Sequence, residues 1–450
     1  HAGAKMFFLL CSVVSLVLFT PSVFGYYPER YHSIPNYVTT PNDTDYILPK
    51  SLYPLSYNLE LKPNLTVNSF SGVIEISFTV KNPTKKIIIH ANPDYIIVDN
   101  NTIEVHSDSK NLSFVNSETN STYELLTIFV NDTMDINETV SVIISYKGNF
   151  GKDMLGFYLS SYNSSTGIHL IGITQFESTY ARRAFPCFDE PAYRAPFTIN
   201  IWRTADQITM SNMKIKGNNT GNNTGDGNLI LDTYEETPPI PTYLVAFGVT
   251  DNQFGVKSEG KNFSVFAREA AINDSTYVVQ MGQSILDTIG TFVNVQYPLP
   301  KMDVVAVPDF DAGAMENWGL TTYREKYVLY NPAKNSLRDK FSVLSVVAHE
   351  FGHQWFGDLV TPYWWSYAWL NEAFATYFEY TVPNELEKNW AIGSTMYVVA
   401  AVQYALDLDI GSPRPMTSDV FTPSQIDNSF DYVIYEKGGS VLRMIENFLT

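Results

Sequence analysis

The sequence predicts a multidomain chain, with an antiparallel β domain at its front and a mixed α/β domain behind it. Two patterns carry that reading. Between residues 50 and 251, short segments of alternating apolar and polar residues recur between turn residues, as antiparallel strands do. Beyond residue 251 the apolar period lengthens to that of helices, interrupted by one apolar strand. With 450 residues, 45% of them hydrophobic, the chain can bury two or three cores.

Residues 1–25 read as a signal peptide. Lys5-Met6 precedes an apolar run over residues 7–19, then Pro21 and a small-residue cleavage site at Val23-Phe24-Gly25. The run is too short for a comfortable membrane span, and residues 1–5 stand upstream of Met6. Residues 26–49, rich in Tyr, Pro, Asn and Thr, form an extended lead-in. Strands are expected over residues 57–61, 72–81, 86–90, 124–130 and 141–146. The Asn/Gly/Thr-rich stretch 217–227 is a loop tip. Pro238-Pro239-Ile240-Pro241 turns the chain into a last strand over 242–249, and the domain boundary falls near residue 251.

In the back domain, residues 270–292 carry a helical period and 303–308 form a short strand. Residues 336–356 form a helix with Leu337, Val343, Leu344 and Val347 as its apolar stripe. A second helix covers 370–382, a third 390–408, and another begins near Tyr435. No cap or stop signal follows Asn447-Phe448-Leu449-Thr450, so the chain reads as a fragment lacking further C-terminal domains.

A formal charge of −18 argues against nucleic acid and against charge-driven binding to anionic lipid. Twelve glycosylation sequons, at Asn42, Asn64, Asn100, Asn111, Asn120, Asn131, Asn137, Asn163, Asn218, Asn222, Asn262 and Asn273, agree with secretion. None lies beyond residue 273, which points to a glycan-bearing front and a back with little free surface for sugar. Cys11 leaves with the signal, so Cys187 is expected to be an inert buried thiol without a disulfide partner.

The chemistry is written in His349-Glu350-Phe351-Gly352-His353, with Glu372 nineteen residues after the second histidine. Residues four apart on a helix lie about 40° apart around its axis, so both imidazoles can face one ion. Glu372, from a second helix, supplies a third zinc ligand and leaves a position for water. Glu350 sits one residue round from the ligand stripe, where it can take that water's proton. A metzincin would need Gly at position 356 and His at 359; Phe356 and Leu359 stand there instead. Two histidines and one glutamate mark a gluzincin, a hydrolase of amides or esters, with epoxides as the lesser alternative.

Whether such a site cuts inside chains or at ends turns on recognition of a free α-ammonium, for which carboxylates near the metal are suited. On composition alone, Glu316 and Glu177 could equally be surface carboxylates. The set Gly313-Ala314-Met315-Glu316-Asn317, H-E-x-x-H, Trp369-Leu370-Asn371-Glu372 and Tyr435-Glu436-Lys437-Gly438 resembles the zinc aminopeptidase family of aminopeptidase N. Thr174-Gln175-Phe176-Glu177 and the run from Ala181-Arg182-Arg183 through Cys187-Phe188-Asp189-Glu190-Pro191 resemble the same family, and the signal and sequons resemble its insect midgut, lipid-anchored branch.

The resemblance implies a saddle-shaped N-terminal β domain and a thermolysin-like catalytic domain. It implies one Zn2+ held by His349, His353 and Glu372, with Glu350 as general base and Tyr435 stabilising the oxyanion. Glu177 and Glu316 would hold the substrate ammonium, and Gln175 would shape the first-residue pocket. Gly313, Ala314, Met315 and Asn317 would run beside the substrate. It further implies peptide substrates with a free N-terminus, no nucleic acid, a C-terminal membrane anchor, an extracellular location, and room for a homodimer or a toxin or virus ligand. Ala373 departs from the family's usual glycine and Asp358 from its asparagine; both bear on efficiency rather than class. The competing readings are a thermolysin-like endopeptidase and a glycosylated surface receptor with weak or no catalysis.

Overall fold

The computed structural model describes residues 43–216, 229–260, 262–393 and 395–449. The signal peptide, most of the lead-in, the loop tip at 217–227 and the sequons at Asn42, Asn218 and Asn222 lie outside the described residues. By packing, the chain divides into two compact units. One comprises Asp45–Val279 and Leu299–Asp339; the other comprises Gln280–Pro298 and Lys340–Thr450, with the stretch ending at Thr44.

The first unit is β-rich. In chain order its front strands are β1 (Leu52–Asn64), β2 (Ser69–Val80), β3 (Thr84–His90), β4 (Ile96–Val98), β5 (Glu104–Ser107), β6 (Phe114–Asn120) and β7 (Leu125–Met134). Then come β8 (Thr139–Asn149), β9 (Gly156–Ser164), β10 (Gly167–Gln175), β11 (Phe197–Arg203), β12 (Gln207–Ser211), β13 (Ile230–Thr233) and β14 (Phe247–Asp251). They form a seven-stranded sheet in the order β13-β11-β1-β2-β8-β4, with β5 also on β8. A three-stranded sheet β3-β7-β6 and a four-stranded sheet β12-β14-β10-β9 accompany it.

The alternation read from the sequence has a plain outcome here. Leu59 and Leu61 on β1, Ile74, Ile76 and Phe78 on β2, and Val140, Val142 and Ile144 on β8 all point inward and are buried. Each such side chain stabilises the fold by roughly 1.5–3 kcal/mol. One ladder breaks the antiparallel expectation: β1 pairs parallel with β11, Tyr57 opposite Phe197 through Leu61 opposite Ile201. Their rings stack at 4.2 Å. A long connection lets two strands distant in sequence meet in the same direction, which alternation cannot encode. The expected strand over 242–249 is split into a 3₁₀ turn at Thr242–Leu244 and β14. Cys187 is buried, and burial holds its thiol well above the usual range.

The same unit carries a mixed sheet made of β15 (Phe254–Glu259), β16 (Phe263–Arg268), β17 (Met302–Val307), β18 (Ala314–Met315) and β19 (Leu320–Arg324). Its order is β15-β16-β17-β19-β18, with β16, β17 and β19 parallel. Only β17 was expected. Helix α1 (Thr276–Val293) interrupts the sheet in sequence, and its residues from Gln280 onward belong to the second unit.

The second unit is helical. It holds α2 (Leu337–His353), α3 (Trp369–Leu386), α4 (Tyr404–Gly411), α5 (Pro423–Asp427) and α6 (Gly438–Leu449), the first three residues of α2 lying in the other unit. Where one helix was expected over 390–408, the chain instead makes a 3₁₀ turn, a left-handed Ala391 (φ 51°), a π-helix at Tyr397–Gln403 and then α4. Among the described residues, no helix is long and apolar enough to cross a membrane.

Candidate metal centre

Helix α2 begins where Ser336 and Asp339 cap each other: Ser336 Oγ accepts the Asp339 N–H at 3.2 Å, and Asp339 accepts the Ser336 N–H at 2.7 Å. It ends at His353 rather than at residue 356, where the chain tightens into i→i+3 turns (Gln354 N–H to Phe351 O, Trp355 N–H to Gly352 O), and Gly357 beyond takes φ +144°. A Cβ there would come within 3.3 Å of His353 Nδ1, so a side chain at 357 would press on the ring the helix presents. Inside the motif, a Cβ at Gly352 would meet Phe378 Cδ2 at 3.0 Å and Ala375 Cα at 3.3 Å. Glycine within a helix costs about 1 kcal/mol against alanine; here it lets α2 and α3 approach closely. Phe356, just past the end of α2, stacks on Phe374 of α3 at 3.8 Å.

That approach brings three ligand atoms together. His349 Nε2 and His353 Nε2 are 3.2 Å apart and lie 3.3 and 3.2 Å from Glu372 Oε2. The outer nitrogens are already engaged: His349 Nδ1 contacts Glu379 Oε2 at 3.2 Å and His353 Nδ1 contacts the Phe356 carbonyl at 3.1 Å. Both are acceptors, so each ring donates from Nδ1, and Nε2 is the nitrogen that faces the shared point. Two imidazole nitrogens and a carboxylate oxygen converge there, all nearly buried, in an arrangement that favours a proton or a cation among them. The donor set fits zinc.

The electrostatics agree. Burial alone would lower His349, yet Glu372 and Glu379 raise it to about 10. Burial alone would raise Glu372, yet His353 and His349 hold it well below the usual carboxylate range. Positive charge is favoured at this spot. Glu350 is buried on α2, and Asp358 is buried beyond its end. Tyr435 lies on a π-turn, Val433–Lys437, and its ring stacks on His349 at 5.9 Å and 22°. Such single π-turns recur at functional sites because they re-aim one side chain.

Glu379 is the residue that sequence reasoning missed. Its signal was available: it lies seven residues after Glu372 on α3, two helical turns along the same face.

In the β-rich unit a second cluster forms around the remaining motifs. Gln175 ends β10, and its Nε2 reaches Met315 Sδ on β18 at 3.3 Å, so the two distant segments meet. Carboxylate oxygens of Glu177 and Glu316 lie within 4.8 Å of each other. Glu316 and Asn317 are buried, Glu177 and Ala314 half-buried, and Gly313 exposed. The end of this segment is pinned. Lys301 Nζ donates to the carbonyls of Gly319 (2.8 Å) and Ser211 (2.7 Å), and Asn212 Nδ2 donates to Trp318 O at 3.0 Å. Gly319 has φ +82°, and a Cβ there would fall 2.5 Å from the Asn212 carbonyl oxygen.

Two family descriptions match: the peptidase M1 N-terminal domain over residues 53–244 and the peptidase family M1 domain over residues 277–450. The chain belongs to peptidase family M1. Among M1 relatives, aminopeptidase N of Bos taurus is 38% identical over 426 residues, covering 90% of this chain and 43% of that one. Endoplasmic reticulum aminopeptidase 1 of Homo sapiens is 35% identical over 409 residues, covering 90% and 42%. Endoplasmic reticulum aminopeptidase 2 of Homo sapiens is 36% identical over 412 residues, covering 89% and 42%. The chain spans less than half the length of the curated relatives it matches. A β-rich M1 N-terminal domain followed by a helical M1 domain is the architecture these matches describe.

Proposed function

We propose that this chain carries the centre of a zinc metallo-aminopeptidase, which removes N-terminal residues from peptides with a free amine. The convergence of His349, His353 and Glu372 on one point carries the reading. His349, His353 and Glu372 would hold one zinc ion, which would supply Lewis acidity at the scissile carbonyl and lower the pKa of water to roughly 7. Glu350 takes the proton of the attacking water and returns it to the leaving amine. Tyr435 donates its phenol hydrogen bond to the oxygen of the attacked carbonyl. Glu177 and Glu316 hold the α-ammonium, which sets the cut one residue from the end. Gln175 shapes the first-residue pocket, and Gly313, Ala314, Met315 and Asn317 line the substrate's path.

A domain boundary near residue 251 is supported by the gap between the matched segments, one ending at 244 and the other starting at 277. Entry into the secretory pathway, with an extracellular location, is supported by the sequons: all nine in the described residues have exposed asparagines. The test is hydrolysis of alanyl, leucyl and glutamyl anilides by the full-length protein, with and without a chelator. Glu350→Gln is expected to lose about 10²- to 10⁴-fold in turnover while retaining zinc. Undiminished turnover in that variant, or equal cleavage of N-acetylated peptides, would refute the reading.

A further inference from the structure

The sheet β3-β7-β6 ends on an open edge: among the described residues β6 pairs with β7 alone. An open edge offers unpaired N–H and C=O groups to any other strand, and proteins guard such edges with lysine, proline, bulges or a covering element. β6 reads Phe-Val-Asn-Ser-Glu-Thr-Asn, with neither lysine nor proline and a single acid. Val115 on it is 59% exposed. A bulge between Phe114 and Asn116 disturbs its first end, but residues 117–120 run in regular register against residues 125–128. Apart from the bond of Ser117 Oγ to Asn100 Oδ1, the customary guards leave that half uncovered among the described residues.

Four sequon asparagines stand around this strand, and one of them, Asn100, accepts the Ser117 Oγ–H through Oδ1 at 2.9 Å. Asn111 lies three residues before its first residue, and Asn120 is its last. Asn131, on the neighbouring β7, accepts the Ser113 N–H through Oδ1 at 2.8 Å. All four are exposed. That is four of the nine described sequons gathered around one seven-residue strand, so their placement calls for a cause in the strand itself.

We propose that N-linked glycans on Asn111, Asn120 and Asn131 cover the open edge of β6 and prevent edge-to-edge pairing between copies of the chain. The inference rests on the secretory-pathway reading above. In each modification the asparagine Nδ2 bonds to the anomeric carbon of an oligosaccharide carried on a lipid pyrophosphate. The anomeric C–O bond breaks, the lipid pyrophosphate leaves with its electron pair, and the amide gives up one proton. The product is a bulky, hydrated group beside the edge. It takes the place that a lysine or a covering loop fills elsewhere.

Ser113→Ala, Thr122→Ala and Thr133→Ala, combined, delete these three sequons and leave every asparagine in place. Thr66→Ala with Ser165→Ala deletes two sequons elsewhere and serves as control. The full chain is secreted from a glycosylating host, its sites mapped by mass spectrometry and its size followed by sedimentation velocity. The triple variant is expected to shift to species larger than wild type, or to lose secretion through aggregation. The control is expected to stay at wild-type size. Adding Val115→Lys, a charge on the edge, is expected to restore wild-type size and yield. A triple variant of unchanged size and yield overturns the proposal, as does one that Val115→Lys leaves unrescued. Bare Asn111, Asn120 and Asn131 beside occupied sites elsewhere overturn it alone; a secreted chain without any sugar overturns the secretory reading with it.

Discussion

Glu379 fixes which nitrogen of His349 carries the proton. Its carboxylate, 3.2 Å from Nδ1, keeps a proton on the outer nitrogen, so that Nε2 is the one presented to a metal. Outer partners of this kind typically change metal affinity by about 10- to 100-fold when altered. Glu379→Gln is therefore expected to weaken zinc binding by that order, measured by competition with a chelator; unchanged affinity would remove Glu379 from the site. A buried carboxyl in the β-rich unit bears on stability. Glu190 accepts the Leu48 N–H, and burial pushes its pKa up from 4.5 to about 7 despite that bond and Arg182. The sign follows. Between these values the folded chain keeps a proton that the unfolded chain has released, so stability falls as pH rises. The contribution is complete below about 4.5 and gone above about 7. One pH decade is ~1.4 kcal/mol, so the loss is at most roughly 3 kcal/mol. Glu190→Gln should flatten urea midpoints across that window, and an unaltered slope would exclude Glu190 as its source.

Among elements, the contact between α3 and the start of α6 carries the chain's departure at Ala373. A Cβ on Gly438 would lie 2.7 Å from Ala373 Cβ, too close for two methyls. Gly438→Ala is thus expected to destabilise by about 1–3 kcal/mol, as overpacking does. Ala373→Gly in the same chain should recover part of that loss in urea unfolding; additive effects would show that the two positions do not share the space. The contact matters because Gly438 directly follows the π-turn that aims Tyr435. Such elements were unequally legible. Helix α2 could be read because capping residues and an apolar stripe are local, and its start differs from expectation by one residue. The hairpin β15–β16 and the π-helix at Tyr397–Gln403 could not be read. A π-helix widens the turn through i→i+5 bonds that no local residue pattern marks, and Gly393, held by Asn384 Oδ1 at 2.9 Å, bends the chain through a contact nine residues distant.

For the whole molecule, each of the two compact units has its own buried core. Zinc that binds only the folded helical unit stabilises it by about 4 kcal/mol at a free concentration a thousand times its Kd. Amide exchange should therefore slow in α2 and α3 on loading and stay unchanged in β1, β2 and β8; uniform slowing would contradict a site held by α2 and α3 alone. The metal triad was written in one dimension, because two ligands share a helix turn and the third lies at a fixed distance in the next helix. The alternating strands of the front were legible for the same reason: period 2 is local. The meeting of Gln175 with Met315, the parallel pairing of β1 with β11, the engagement of His349 by Glu379 and the open edge of β6 were decided by tertiary structure alone. Each joins or exposes groups through packing that no local period specifies.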